Sequence, residues 1–338
     1  MPLVICLRKV SEGMVMKNIF LAGMISGILI LLFPPGFAYC ATARGQEYDT
    51  MAKNLMAEVE TLSVKIGERN FRNKARLDAA AGYIEKSFAK ENVRVSRQAF
   101  QIRGENFYNI EAEIRGAALP DKIIVIGAHY DSAVGTPGAN DNASGVAALI
   151  ELVRIFSESQ PACTVRFVAF ANEEPPFFWS NNMGSLVYAR QCRKKEEDVA
   201  GMISIETIGY YSDAEKSQRY PFPLNCFKKS RKGNFIAFIS NMSSKQLLDA
   251  SMKSFRQGSD FPLDGMALPA IVPRVVSSDH SSFWRQGYRA IMVTDTARFR
   301  YPYYHTQQDL PDKMDFARMS MVVAGIEKVV EGLANRID

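Results

Sequence analysis

The sequence predicts an α/β fold: a single domain with a mixed, mainly parallel central β-sheet flanked by helices. Three observations carry that expectation. Strand-like and helix-like segments alternate from about residue 122 onward. One of the strand-like stretches, "KIIVIGAH" at 122–129, is apolar almost without interruption, as expected of a strand covered on both faces. The chain has 338 residues, 47% hydrophobic and 23% charged, without a low-complexity tract, which is enough apolar material for one large core.

Residues 47–92 read as helical, with Met56, Val59, Leu62 and Ile66 at helical spacing, followed by "LDAAAGYIEKSFAKEN". Two alternating stretches, "VRVSRQAFQI" and "FYNIEAEIRG", suit an antiparallel pair at a sheet edge. A turn at "ALPD" then leads into the apolar run at 122–129. A helix follows the Asn/Asp-rich start at 140–142, since Val146, Leu149, Ile150, Val153 and Phe156 recur every 3.6 residues. Further strands are expected at 164–170, 201–207, 235–241 and 290–295, with helices from about 183, over 243–256 and over 312–335. No internal repeat or linker divides residues 44–338.

The amino terminus reads differently. Lys17 precedes "IFLAGMISGILILLF" at 19–33, and "PPGFAYCATA" follows, which is the layout of a secretory signal peptide ending at Ala43. The pattern is already complete from Met14 or Met16. The 15-residue apolar run is shorter than the roughly 20 residues that span a bilayer, so an uncleaved membrane anchor is the weaker alternative. Residues 1–43 are therefore expected to direct export, and residues 44–338 to act outside the cytoplasm, secreted or periplasmic. The membrane enters only through this segment.

The net charge of +5 includes +2 from those first residues, where Arg8, Lys9 and Lys17 outweigh Glu12. The balance asks for no nucleic acid. The basic run "KKSRK" at 228–232 reads as a solvated loop. Three cysteines, Cys163, Cys192 and Cys226, would remain after cleavage. An odd number at these spacings is neither a disulfide scaffold nor a zinc knuckle, and each reads as a small buried apolar residue.

The chemistry lies at the strand ends. In an open α/β sheet, ligands bind beyond the carboxyl ends of the parallel strands. His129, the pair Glu173 and Glu174, and Glu206 all fall at or just past such ends, and Asp141 sits at the mouth of the helix after the first. A loop histidine alone is more often a surface or capping residue. One imidazole and three carboxylates on a single rim instead form a donor set for a divalent ion such as zinc. Two ions match the charge better than one, because Asp141, Glu174 and Glu206 supply three negative charges and a bridging hydroxide a fourth. Adjacent residues leaving a strand diverge, so one of Glu173 and Glu174 is placed to ligate while the other reaches a water as general base.

With these residues in view, the chain resembles the M28 family of co-catalytic zinc aminopeptidases from about residue 60 to its end. Four segments carry the likeness: "GAHYDS" at 127–132, "GANDNASG" at 138–145, "FANEEPPF" at 170–177 and "YYHTQQD" at 303–309. "SIETIGYYS" and "SSDHSSF" support it.

The resemblance implies a zinc-exopeptidase-like fold holding two zinc ions per chain. It implies His129, Asp141 and Glu206 on one ion, Asp141, Glu174 and His305 on the other, with Asp141 bridging. It also implies Glu173 as general base toward a bridging hydroxide, Asp131 as the carboxylate that orients His129, and Tyr304 as a phenol aiding the oxyanion, or else a packing residue. Many members carry Asp where this chain has Glu206. His280 has no ligand role in the family and reads as structural or pocket-lining. The function implied is an exported exopeptidase acting on the amino-terminal bond of peptides. Two alternatives stay open, a single-zinc glutaminyl cyclase and a non-catalytic binding domain on the same fold.

Overall fold

The computed structural model describes residues 35–335, apart from 222–224, 226–230, 270, 271, 273 and 274. Up to position 34, the expected signal segment lies outside the described residues, as do the start of the basic run and Cys226. Contacts divide the chain into Met1–Glu47 and Tyr48–Asp338. The first unit contributes only the opening turns of one helix to the described residues, and everything below concerns the second. Among the described residues no helix is long and apolar enough to cross a membrane.

Helix α1 (Pro35–Glu60) continues into a wider turn at Thr61–Ile66, and α2 (Lys74–Phe88) follows. The face that α1 and this turn bury is Met51, Leu55, Val59 and Leu62. Met56, expected on that face, is 43% exposed, because it follows Leu55 by one position and so lies about 100° round the helix. Strands β1 (Arg94–Ile102) and β2 (Glu105–Ile114) pair antiparallel, and β1 is the sheet's edge, as the alternation predicted.

Strand β3 (Leu119–His129) begins earlier than the sequence suggested, so "ALPD" is not a turn. Its pairing with β4 (Cys163–Phe170) slips between Leu119 and Ile123, an irregularity that admits Pro120, which has no amide hydrogen to give a ladder. The remaining strands are β5 (Asp198–Glu206), β6 (Ile236–Ser240), β7 (Leu263–Ala267) and β8 (Ala290–Thr294). The helices between and after them are α3 (Ser144–Phe156), α4 (Gly184–Lys194), α5 (Lys245–Gly258), α6 (His280–Trp284) and α7 (Phe316–Ala334). Strand β7 and helix α6, both five residues long, carry too little pattern to be expected from sequence.

The sheet order is β1-β2-β4-β3-β5-β8-β6-β7. Strand β3 runs parallel to β4 and β5, β5 to β8, and β6 to β7; the β2/β4 and β6/β8 pairs are antiparallel. Successive side chains on each strand point to opposite faces, and the two faces bury separate clusters. Ile124, Ile126 and Ala128 of β3 pack with α1, α2, α3, α5 and α7. Ile123 and Val125 face the other way, with Tyr188, Ala189 and Cys192 of α4 and Phe283 of α6. Each large aliphatic side chain buried this way contributes about 1.5–3 kcal/mol. Cys163 and Cys192 are buried, as expected of apolar residues.

His280, the first residue of α6, is fully buried and meets Trp284 edge to face at 4.6 Å. Its Nε2 donates to the Val275 carbonyl at 2.7 Å, while Nδ1 has no partner among the described residues, so the ring is held neutral. Burial pushes it down from 6.5 to about 4, which makes it a packing residue at neutral pH. The unfolded chain therefore binds a proton at higher pH than the folded one, and stability is lost as pH falls from about 6.5 to 4. Between pH 7 and 4 the stability advantage of the wild type over His280→Asn should shrink by about 3 kcal/mol in urea titrations. A constant difference would show that the buried ring does not resist protonation.

Candidate metal centre

Strands β4, β3 and β5 end level with one another. His129, the last residue of β3, pairs with Phe170 at the end of β4. The pairing of Gly127 with Ser204 brings His129 beside Glu206, the last residue of β5. Beyond β4 the chain turns at Asn172 (φ 60°) and delivers Glu173 and Glu174 to the same rim. Asp131 fixes that turn. Its Oδ1 accepts the Glu173 amide at 3.1 Å and its Oδ2 the Glu174 amide at 3.0 Å. The Nδ1 of His129 lies 3.2 Å from the Asp131 carbonyl oxygen and 3.5 Å from Oδ1. With Nδ1–H donated there, Nε2 is left as a bare donor atom facing the cluster.

Asp141 is held by the turn before α3. Gly138 adopts φ +65°, and a Cβ there would lie 2.4 Å from the Asp141 carbonyl oxygen, so the turn needs glycine. From the far side, Asp309 accepts the amides of Asn140 at 2.8 Å and Asp141 at 3.1 Å, and the Tyr301 hydroxyl donates to it at 2.8 Å. Asn142 accepts from the Gly145 and Thr207 amides and donates to the Ile205 carbonyl. Asn140 accepts the Gly209 amide and donates to Asp295. These asparagines are more than turn residues, because they tie the Asp141 turn to the chain on either side of Glu206.

The result is a two-sided arrangement around one carboxylate. Oδ1 of Asp141 lies 3.3 Å from His129 Nε2, which is itself 3.2 Å from Glu206 Oε2. Oδ2 of Asp141 lies 3.0 Å from His305 Nε2, which is 3.2 Å from Glu174 Oε1. Glu173 belongs to neither group and approaches His129 Nε2 to 3.9 Å. Ser278 donates to Glu206 at 2.8 Å and fixes its orientation. The Tyr304 ring stacks on His305 at 3.9 Å and lines the cavity that Glu173, Glu174 and Glu206 also face. The buried packing tyrosine of that segment is its neighbour Tyr301.

Four carboxylates are buried here against two imidazoles, and the proton balance reflects it. Burial, and then the neighbouring carboxylates, push Glu173 well above the usual range and Glu174 up to about 8; Glu206 is also raised. Burial opposes charge on the imidazoles, yet the carboxylates outweigh it, raising His129 well above 6.5 and His305 to about 10. Asp141 moves the other way: burial raises it, but the two imidazoles hold it below the ordinary range. The cluster is short of positive charge.

The donor set fits a cation. Among the described residues, the buried His129 Nε2 and Asp141 Oδ2 have no hydrogen bond of regular geometry despite their close neighbours, and His129, Asp141 and Glu174 offer donor atoms within 4.8 Å of one another. Mixed imidazole and carboxylate donors at one point are what zinc takes.

Arg69 is the functional residue that the sequence concealed. It is fully buried, and its guanidinium donates to the carbonyls of Tyr130 at 2.6 Å, Pro137 at 2.6 Å and Gly138 at 2.8 Å. It thus pins both ends of the loop joining His129 to Asp141. Nothing in "GERN" distinguishes Arg69 from a surface arginine, whereas Asp309 closes a segment already singled out by its histidine.

Residues 109–330 match Peptidase family M28. The Escherichia coli (strain K12) protein YfbL, described as uncharacterized, is 35% identical over 95% of this chain and 98% of its own. A probable zinc metalloprotease of Pyricularia oryzae is 34% identical over 39% of this chain and 26% of its own, so it is a much longer protein. Among solved structures, the Bacillus subtilis zinc aminopeptidase BSAP superposes with TM-score 0.69 at 16% identity, covering 84% of this chain and 95% of that one. The Bacteroides thetaiotaomicron glutaminyl cyclase superposes with TM-score 0.59 at 18% identity, covering 83% and 97%. These structural likenesses establish a shared α/β fold.

Removing the Arg69 guanidinium leaves the Tyr130 and Pro137 carbonyls without this donor and the Gly138 carbonyl with the Ala143 amide alone. Arg69→Met should cost about 3 kcal/mol or more in urea unfolding, and Arg69→Lys should recover only part of that loss, because an ammonium cannot reproduce the planar fork. A loss under about 1 kcal/mol for the methionine variant would remove Arg69 from this role.

Proposed function

From the premise that this chain belongs to peptidase family M28, a family of zinc-dependent hydrolases, we propose that it is an exported di-zinc exopeptidase that removes amino-terminal residues from peptides. The observation that carries the reading is the division of Asp141, with one oxygen turned to His129 and Glu206 and the other to His305 and Glu174. Such a division suits two ions sharing one carboxylate. A single-zinc cyclase would give the second group no task.

When bound, the two ions supply Lewis acidity toward the scissile carbonyl and make a shared water acidic. The chain's own residues do the rest. Glu173, outside both groups, accepts a proton from the attacking water and returns it to the departing amine. Its own amide is held by the Asp131 carboxylate, and His129 Nδ1 by the Asp131 carbonyl oxygen, so the base and the orientation of His129 depend on one residue. Tyr304, stacked on His305, offers its hydroxyl to the oxyanion that develops at the carbonyl. The buried carboxylates facing the cavity favour a free ammonium, which supports attack at the amino end over the carboxyl end. The apolar segment at 19–33, preceded by Lys17, supports export.

The zinc-loaded protein should shorten free peptides from the amino end in a mass-spectrometric digest and leave amino-acetylated ones intact. Shortening from the carboxyl end, or ring closure of an amino-terminal glutamine without cleavage, would overturn the reading.

Glu173→Gln should keep its zinc and lose about a hundred- to ten-thousand-fold in kcat. Near-normal turnover would exclude Glu173 as the base. Asp141→Ala should lose zinc where the wild type holds two per chain by atomic emission. Two ions retained in that variant would exclude the bridge.

A further inference from the structure

Helices α4 and α6 cover one face of the sheet over β4, β3 and β5. On the same face, β8, β6 and β7 floor a cavity of about 410 Å³ that opens beside Glu173, Glu174, Glu206 and His305. The alternation along each strand decides what this floor presents. Met292, Ile239 and Met266 form one apolar row, since Ile239 pairs with both methionines.

The neighbouring row has a direction. Glu206 pairs with Thr294, Thr294 with Ala237, and Ala237 with Asp264, so one line of residues crosses four strands from the cluster to the sheet's edge. Three strand spacings put the Asp264 Cα about 14 Å from that of Glu206. Asp264 lines the cavity at that far end.

Resting on the exopeptidase reading, we propose that this cavity receives the amino-terminal side chain of the substrate and that Asp264 makes it a site for lysine or arginine. These side chains have an apolar stem and a cationic head, and the floor offers apolar surface first and a carboxylate last. A substrate side chain reaching from the cluster and the Asp264 carboxylate reaching toward it together span the row. Leucine and phenylalanine end over the methionines and form no charge-assisted bond with Asp264.

Arg219 and Arg298 also line the cavity, but both are exposed, where water and salt weaken a charge's reach. Asp264 is half-buried. The Tyr220 hydroxyl, which also lines the cavity, is pushed up to about 12, by burial first and by Asp264 second, with Arg300 opposing.

The test compares kcat/KM on aminoacyl p-nitroanilides of Lys, Arg, Leu, Phe and Glu for wild type and Asp264→Asn, both zinc-loaded. Lys and Arg should exceed Leu by about tenfold or more, and Asp264→Asn should lower the Lys-to-Leu ratio by about tenfold or more. A preference for Leu, Phe or Glu in the wild type, or an unchanged ratio in the variant, overturns the assignment while leaving the exopeptidase reading intact. Calorimetric binding of free L-lysine against L-leucine separates the two ideas. Tighter lysine binding that depends on Asp264 supports the assignment even if no anilide is cut, and equal binding overturns it. Asp264→Ser, read by the same ratio, serves if the asparagine variant does not fold.

Discussion

The site depends on the placement of one carboxylate. Asp141 has an oxygen facing each of two imidazole–carboxylate pairs, and no other side chain in the cluster reaches both. A side chain with one rotatable bond between its carboxylate and Cβ cannot search widely for that position, so its backbone must be delivered correctly. The turn from Gly138 to Gly145 does this, held below by Arg69, behind by Asp309, and sideways by Asn140 and Asn142. The hydrogen bonds of this turn are spent on position.

A second constraint is charge. Burying Asp141, Glu173, Glu174 and Glu206 at one rim is costly unless cations join them, and the two imidazoles supply too little. The protein meets part of this cost at a distance. Arg69 lies buried under the loop, where Asp309, Asp131, Asp141 and Glu174 all favour its charge against a burial that pulls it down to about 10. The parallel strands supply the remainder of the geometry, since their level ends bring the backbones of His129 and Glu206 side by side.

Much of this was legible in the sequence where a residue's chemistry or a long periodic run announced it. The uninterrupted apolar run of β3, the spacing of α3 and the alternation of β1 and β2 are direct consequences of burial pattern, and each appears in the structure. His129, Glu173, Glu174 and Glu206 converge because they sit at or just past neighbouring strand ends, whereas Asp141 and His305 reach the same rim from turns, His305 being indicated by the family resemblance. What the sequence hid is what depends on tertiary contact. Arg69 is distinguished only by the carbonyls that surround it, and β7 by the partner strand that completes its ladder. Met56 was misplaced because helical spacing fixes a face only relative to its neighbours, and Leu55 with Val59 claimed the core.

The most direct measurement of the two-ion account is anomalous diffraction at the zinc absorption edge from crystals of the zinc-loaded protein. Two peaks should flank the Asp141 carboxylate, one against His129 and Glu206 and the other against His305 and Glu174. A single peak, or peaks that leave Asp141 outside the coordination of either ion, would contradict it.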